Sequence, residues 1–456
     1  MSRISAHPLP ALALVAFAGA FVAIACAPSE DNRKEKDGFV QLFDGEDITG
    51  WVQRGGKAVY TVEDEAIVGR TVLDTPNSFL CPDKEYDNFL LEFEVKVDPA
   101  LNSGVQIRSH STPEYRDGRV HGYQVEIDPT PRGYSGRIYD EARRGQFLDD
   151  GEDNEAALMA FEAGEWNAYK IEAVGDRIRT WVNGVAVADL VDGVDRSGFI
   201  GLQVHSAKEA GLEVRWRNIW LKELPQVPDA QYPNTLSDAE RADGWRLLWD
   251  GRTSWGWRGA RSEEFPEKGW QMADGELTVL ESGGRESEAG GDIVTVDTWS
   301  SFELKLEFRI TAGANSGIKY FVDPELNKGE GSAIGLEFQI LDDADHPDAR
   351  MGRDGNRTLA SLYDLIAAPE GKPVHSIGEW NEARIVARGN HVEHWLNGEK
   401  VVEFERGSPD FRELVAGSKY KIWKGFGELT EGHILLQDHG NRVSFRNIKI
   451  REIDPS

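Results

Sequence analysis

The chain spells one outline twice. LFDGEDITGW at Leu42–Trp51 returns as LWDGRTSWGW at Leu248–Trp257. Asn102-Ser103-Gly104 returns as Asn315-Ser316-Gly317, GYQVEID from Gly122 as GLEFQIL from Gly335, and Ile138-Tyr139-Asp140 as Leu362-Tyr363-Asp364. Glu165-Trp166-Asn167 then answers to Glu379-Trp380-Asn381, and TWVNG at Thr180 to HWLNG at His394. Each half closes on Gln-x-His followed by Arg-Asn-Ile: Gln203, His205 and Arg217-Asn218-Ile219, then Gln437, His439 and Arg446-Asn447-Ile448. So many landmarks in one order mark a domain duplication, not a solenoid unit. The 456 residues also exceed what one hydrophobic core serves. The repeat sets domains at 38–224 and 240–453. The linker, 225–239, is kept extended by Pro225, Pro228 and Pro233 before a short helical start at Thr235 or Ser237.

Within each half the local pattern is alternation. FLLEFEVKVD from Phe89, FELKLEFRI from Phe302, and the longer runs from Tyr169 and Ala383 place Val, Ile, Phe and Trp at period two. Asn183-Gly184 and Asn397-Gly398 suit two-residue hairpin turns, where both central residues need positive φ. Long amphipathic helices do not alternate with these runs, which disfavours a parallel α/β sheet. The expected fold is all-β, a β-sandwich or jelly roll in each half.

At the N-terminus, Arg3 precedes an apolar run that ends in Ala23-Ile24-Ala25-Cys26, the pattern of an export signal over residues 1–25. Small residues before a Cys resemble a bacterial lipobox. Cys26 would then be lipidated and anchor the protein in the cell envelope through a tether, residues 26–37; the simpler alternative is a secretory signal whose Cys is incidental. Cys81 is then the sole remaining cysteine, so packing must replace a disulfide framework. Lys and Arg number 51 against 79 Asp and Glu, a net charge of −28 that repels phosphate backbones and argues against nucleic acid as a partner. There is no P-loop, paired CxxC or helix-opening GxGxxG, and no cofactor is identified. The acidic runs Asp149–Glu155 and Asp342–Asp348 could take calcium, but neither has the spacing of an EF-hand loop, and solvated surface is the simpler reading.

Taken together, the FDG/WDG opening with its GW, the NSG turn, the G-x-[QE]-x-[EQ]-I strand, the YD after it, the EWN start, the W-x-NG hairpin and the closing Q-x-H with RNI resemble the 3-keto-disaccharide hydrolase domain family, over nearly all of both halves. The resemblance implies a concanavalin-like jelly roll acting on glycosides whose C3 hydroxyl has been oxidised to a ketone. Such a ketone acidifies the C2 proton. A base can remove it, the enolate can expel the glycosidic oxygen at C1, and water can add to the unsaturated product. That route replaces the two opposed carboxylates of ordinary glycosidases with a base, an electrophile for the enolate oxygen and an acid for the leaving group. The rival reading is a tandem carbohydrate-binding protein, since fold alone does not decide function.

Period two puts Gln203 with His205, and Gln437 with His439, on one strand face, and an outward concave groove is the natural place for them. Gln124, Glu126 and Asp128 share a face; in the second half Glu337 and Gln339 occupy the matching places with amide and carboxylate exchanged. After the NSG turn, Gln106 and Arg108 alternate with apolar neighbours, and the second half offers Lys319, a cation that could polarise a ketone. Tyr139 and Tyr363 suit sugar stacking or proton donation. His205 and His439 are the first candidates for the base, with Glu126 and Glu337 as competitors. Arg143 and Arg144 have no counterpart in the second half and are expected to set specificity. His394 could touch substrate or face the core. Asn102 and Asn315 serve the turn or a ligand, with Gly104 and Gly317 taking positive φ. Trp51, Trp257, Trp181 and Trp395 are expected in the core.

Overall fold

The computed structural model describes residues 38–149, 151, 154–227, 232–284, 290–327 and 332–455. The export signal, Cys26 and the tether lie outside the described residues. Each copy is a jelly-roll sandwich of two sheets, and all strand pairs are antiparallel. In the first copy the back sheet runs Val185–Val191, Arg177–Val182, Asn167–Val174, Phe89–Val97, Glu213–Glu223, Ala66–Arg70, Val59–Glu63. Its front sheet runs Ile138–Glu141, His121–Ile127, Ser103–His110, Gly198–Val204, Ser78–Pro82, Trp51–Gly55. The second copy repeats the plan, with a front sheet ordered Trp257–Gly259, Ile293–Thr295, His433–Leu436, Asn315–Asp323, Ile334–Leu341. Among the described residues the edge strand Ile138–Glu141 does not repeat: at the matching place the second copy has only isolated bridges from Leu362 to Phe338 and Ile366.

Alternation sorts the side chains as period two requires. Phe89–Val97 buries every second residue, and its inward set joins a core confined to the first copy; the second copy has its own core around Phe302, Phe308, Phe338 and Phe445. Removing one of these fully buried rings would cost about 3–5 kcal/mol. Asn183 and Asn397 take φ of 49° and 47°, followed by Gly184 and Gly398 at 82° and 85°, as the hairpin reading expected. Asn218 and Asn447 take φ of 51° and 52° at the bulge in each closing strand, while Arg217 and Arg446 each donate to a carboxylate 2.6 Å away, on Glu94 and Glu307. Trp257 is buried, but Trp181 and Trp395 are not core residues. They lie on the outer face of the back sheets beneath Lys170 and Arg384, both 4.8 Å from the ring centres, where the rings shield the sheet and the cations stay wet. In the linker, Ser237 caps Asp238–Ala242 in a reciprocal box with Glu240.

Candidate functional site

The groove faces of the two front sheets carry polar side chains, as the pattern requires, but these are not the solvated residues that a concave outer face suggested. Gln106 and Gln203 are fully buried, and Gln124 and Glu126 nearly so. They satisfy one another: Gln106 and Gln203 both donate to Gln124 Oε1 (2.7 and 2.6 Å), Gln124 donates to Glu126 Oε2 (2.9 Å), and Asn102 donates to Glu126 Oε1 (2.6 Å). Burial pushes the Glu126 carboxyl above its ordinary range. Asn102 therefore serves this ladder. Gly104 and Gly317 do not take positive φ. A methyl group on Gly104 would sit 2.5 Å from Gln124 Cδ, and one on Gly317 would overlap the Glu337 carboxylate, so glycine is required for close approach.

Beside the ladder the first copy opens a hollow of about 620 Å³, lined by Tyr139, Glu141, His205, Arg119, Asn77 and Phe79 among others. Strand Ile138–Glu141 supplies two of these: Tyr139 pairs across from Gln124 and Glu141 from Gly122. The opposite wall folds over the strand end, where Tyr115 and Arg116 each donate to Ala142 O at 2.9 Å. Glu141 is buried, and burial raises its carboxyl above the usual range against the opposing influence of Arg119, His205 and Asn77. Asn77 donates to Glu141 Oε1 (3.3 Å) and accepts from Ser206 N (2.9 Å), tying the carboxyl to the His205 corner. Arg119 Nη2 stands 3.9 Å from Glu141 Oε1, with its side chain more than half exposed at the rim. His205 Nδ1 lies 2.7 Å from Ser206 O, a contact that places the ring proton on Nδ1 and leaves the Nε2 lone pair to act as a base. Tyr139 is half-buried, packed edge-on against Phe147 at 5.2 Å, and burial raises its hydroxyl pKa.

The second copy places different chemistry on the matching floor. Lys319 Nζ, where the first copy has Gln106, sits 3.7 Å from Glu337 Oε2 and donates to Ala333 O (3.1 Å) and Ser332 Oγ, which also bonds Asp292. Gln339 lies 3.2 Å from both Asn315 and Glu337. Tyr363 donates to Asp348 Oδ2 (2.7 Å) and lies beneath Lys419, so its hydroxyl is engaged, whereas Tyr139 lines the hollow. His439 is half-buried and meets His346 edge-on at 6.0 Å. Burial, then the nearness of His439, holds His346 below its ordinary value. Gln203 Oε1 and His439 Nδ1 lack a hydrogen-bond partner among the described residues. Asp438 turns away from the groove and secures Gly290 and Gly291 through their amides (3.2 and 2.8 Å).

Several expected site residues stand elsewhere. Arg108 is fully buried at φ 47° on a bulge, bonding the carbonyls of Asp87 and Gly175, so it braces the edge of the sandwich and does not reach the groove. Asp128 holds a turn through Thr130 N and Arg132. Arg143 and Arg144 do not face substrate; both are spent on buried aspartates beneath strand Ile138–Glu141. His394 is sealed in the second core, between Ala360 O (3.1 Å) and the Tyr320 hydroxyl (2.8 Å), and burial lowers its pKa to about 4. In the acidic runs, Asp149 takes Arg137 and Ile138 N, while Asp342, Asp343 and Asp348 accept from Gly313, Leu359 and Arg357. Among the described residues His391, Glu393 and Glu403 converge closely enough to hold a metal ion, but Lys400 already lies 3.1 and 2.6 Å from the two carboxylates. Sequence reasoning missed Glu141, Arg119, His346 and Asp292. For Glu141 the signal was present: IYDE in one copy faces LYDL in the other.

The family model described as the 3-keto-alpha-glucoside-1,2-lyase-like domain matches residues 38–222 and again 244–451. A Bacteroides thetaiotaomicron protein named 3-keto-disaccharide hydrolase is 37% identical over 235 residues, which cover 47% of this chain and 80% of that protein. Among solved structures, a Parabacteroides distasonis protein assigned provisionally as a glycosyl hydrolase is 31% identical, covers 49% of this chain and 100% of its own, and superposes with a TM-score of 0.43. A second from the same organism is 29% identical, covering 46% of this chain and 99% of its own, with a TM-score of 0.35.

Proposed function

The chain belongs, in both halves, to the 3-keto-alpha-glucoside-1,2-lyase-like domain family, and we propose that it cleaves glycosidic bonds of sugars carrying a ketone at C3, in the hollow of its first copy. The observation that carries this assignment is the company Glu141 keeps. A carboxyl raised by burial, an imidazole with a directed lone pair, and a cation meet in one space of about 620 Å³, within the size range of small-ligand pockets. Two titratable groups with unlike environments divide the acid and base roles.

His205 Nε2 takes the proton from C2. The electron pair moves through the C2–C3 bond onto the ketone oxygen, where Arg119 stabilises the enolate. Collapse of the enolate breaks the C1–O bond, and Glu141, whose enclosure favours the protonated form, gives its proton to the departing oxygen. Water then adds across C1 and C2, the hydroxyl going to C1 and the proton to C2, with the same two groups in exchanged roles. Tyr139 offers its ring face and hydroxyl to the sugar. The second copy, whose Lys319 is engaged with Glu337 and Ser332 and whose Tyr363 is engaged with Asp348, fits sugar binding or bracing better than turnover.

The test is release of a chromogenic alcohol from a 3-keto-glucoside, with the unoxidised parent sugar as control. Release from the ketone alone supports this reading; release from neither, with measurable sugar binding, replaces it with a lectin-like one. The envelope anchor belongs to the same proposal. Cys26→Ala should move the protein from the membrane fraction to the soluble fraction, and no change on fractionation would remove the anchor from the account.

A further inference from the structure

The second copy reaches into the support of the first copy's hollow. Asn234 and Asn447 exchange hydrogen bonds (2.6 and 2.8 Å), and Asn234 also donates to Gly275 O (2.9 Å), so the end of the linker is stitched to the second copy. From that base Arg241 donates to Gly193 O (2.7 Å) and Asp176 (3.2 Å), and Asp238 receives Arg196 (2.5 Å). Next to this seam lies a sealed ion cluster. Arg144, with no exposed side-chain surface, bonds Asp140, Asp192 (2.7 Å) and, from the second copy, Asp250 (3.0 Å). Arg143 bridges Asp140 and Asp195 (2.5 Å), and His110 joins Asp195 at 3.3 Å.

The repeat itself shows that Asp250 has acquired a second task. Its counterpart, Asp44, is turned only to its own loop, accepting from Glu46 N (2.8 Å) and Asp47 N (3.3 Å). Asp250 makes the same kind of turn with Oδ1, which accepts from Arg252 N (2.9 Å) and Thr253 N (2.7 Å), and lends Oδ2 to Arg144. A buried ion cluster gives little net stability over an apolar packing of the same volume; what it can fix is geometry. The geometry here is that of the hollow. Asp140 lies between Tyr139 and Glu141 on strand Ile138–Glu141 and pairs across from core-facing Tyr123, so its neighbours point into the hollow because it points away.

We propose that Asp250 of the second copy is a positioning residue for the first copy's site: through Arg144 and Asp140 it holds strand Ile138–Glu141, and so sets where Tyr139 and Glu141 stand. This rests on the reading that the hollow is the reaction site. It also gives the duplication a purpose, because a single copy would lack one of the three carboxylates that grip Arg144.

Asp250→Asn in the full chain keeps the turn and removes the charge. Amide exchange of residues 138–141 should quicken about tenfold or more. On the 3-keto-glucoside, kcat should fall about ten- to a hundredfold, as small displacements of an acid do, with KM within about twofold. Water admitted to Glu141, which Arg119, His205, Asn77 and Asp140 already surround, lowers its pKa toward the ordinary range, so the alkaline limb of the rate profile moves to lower pH. Asp44→Asn should leave all of these unchanged. Unaltered exchange at 138–141, or faster exchange with unaltered kcat and pH profile, overturns the proposal. Should Asp250→Asn fail to fold, Arg144→Lys, which keeps the buried charge but not the three-way fork, is read in the same way. If the wild type cleaves no 3-keto sugar, the proposed function fails, while the exchange measurement still decides whether the copies are coupled.

Discussion

The two front sheets present the same Gln-x-His phrase over different floors. In the first copy the floor is an amide ladder, Gln106, Gln124 and Gln203, ending in Glu126, and the ionisable groups that face open space stand at its edge, on strand Ile138–Glu141 and at His205. In the second, charge has moved to the centre as the Lys319–Glu337 pair, and the edge strand is not formed. A neutral floor leaves catalytic charge free to act at the rim. A charged floor must be compensated from within the protein, and Ser332, which bonds both Lys319 and Asp292, takes up that work. Divergence after duplication has thus redistributed titratable groups while keeping the scaffold.

The largest expected effect comes from breaking the charged floor. Lys319→Ala removes the cation 3.7 Å from the buried Glu337 carboxylate and should cost the second copy about 3–5 kcal/mol, against about 1–3 kcal/mol for Gln106→Ala in the first; denaturant titration followed by amide exchange separates the two. Acid should next distinguish the copies. The folded pKa of His394, about 4, lies below its ordinary 6.5, so its stabilising contribution is present above pH 6.5 and is lost as pH falls toward 4, a loss of about 3 kcal/mol. Glu126 and Glu141 are shifted upward, so their contribution runs the other way, present at low pH and lost as pH rises through their folded values. Exchange at pH 4.5 should therefore show the second copy opening first, and His394→Thr, the residue type at Thr180 in the first copy, should flatten that dependence. A smaller cost, about 1–3 kcal/mol, is expected for Gly104→Ala and Gly317→Ala, and the second should be the worse because its obstruction is a carboxylate pinned by Lys319. Equal thermal stability of both variants with wild type would show that the ladder side chains can step aside. Trp181→Ala and Trp395→Ala should cost least, about 1 kcal/mol each, measured by thermal unfolding.

The duplicated scaffold was legible because period-two alternation and Asn-Gly turns act over a few residues, where the sequence is its own evidence. Gln203 and His205, and Gln124 and Glu126, were placed on their shared faces by the same rule. The rule cannot tell a wet face from a polar network sealed by loops, which is why the ladder came out buried. Nor can it foresee side chains that leave their strand: Arg108 turns aside because a bulge gives it positive φ, and Arg144 meets Asp250 only after two domains dock. Glu141 is marked in the sequence only by a difference between the halves, Glu in IYDE against Leu in LYDL, and not by the repeat that marks the other candidates.

The central claim is that turnover belongs to the first copy, and the matched histidines test it most directly. Initial rates on the chromogenic 3-keto-glucoside should fall about a hundredfold or more for His205→Ala and stay within about threefold of wild type for His439→Ala. The reverse ranking, with His439→Ala inactive and His205→Ala unimpaired, would contradict the account and move the reaction to the Lys319–Glu337 floor.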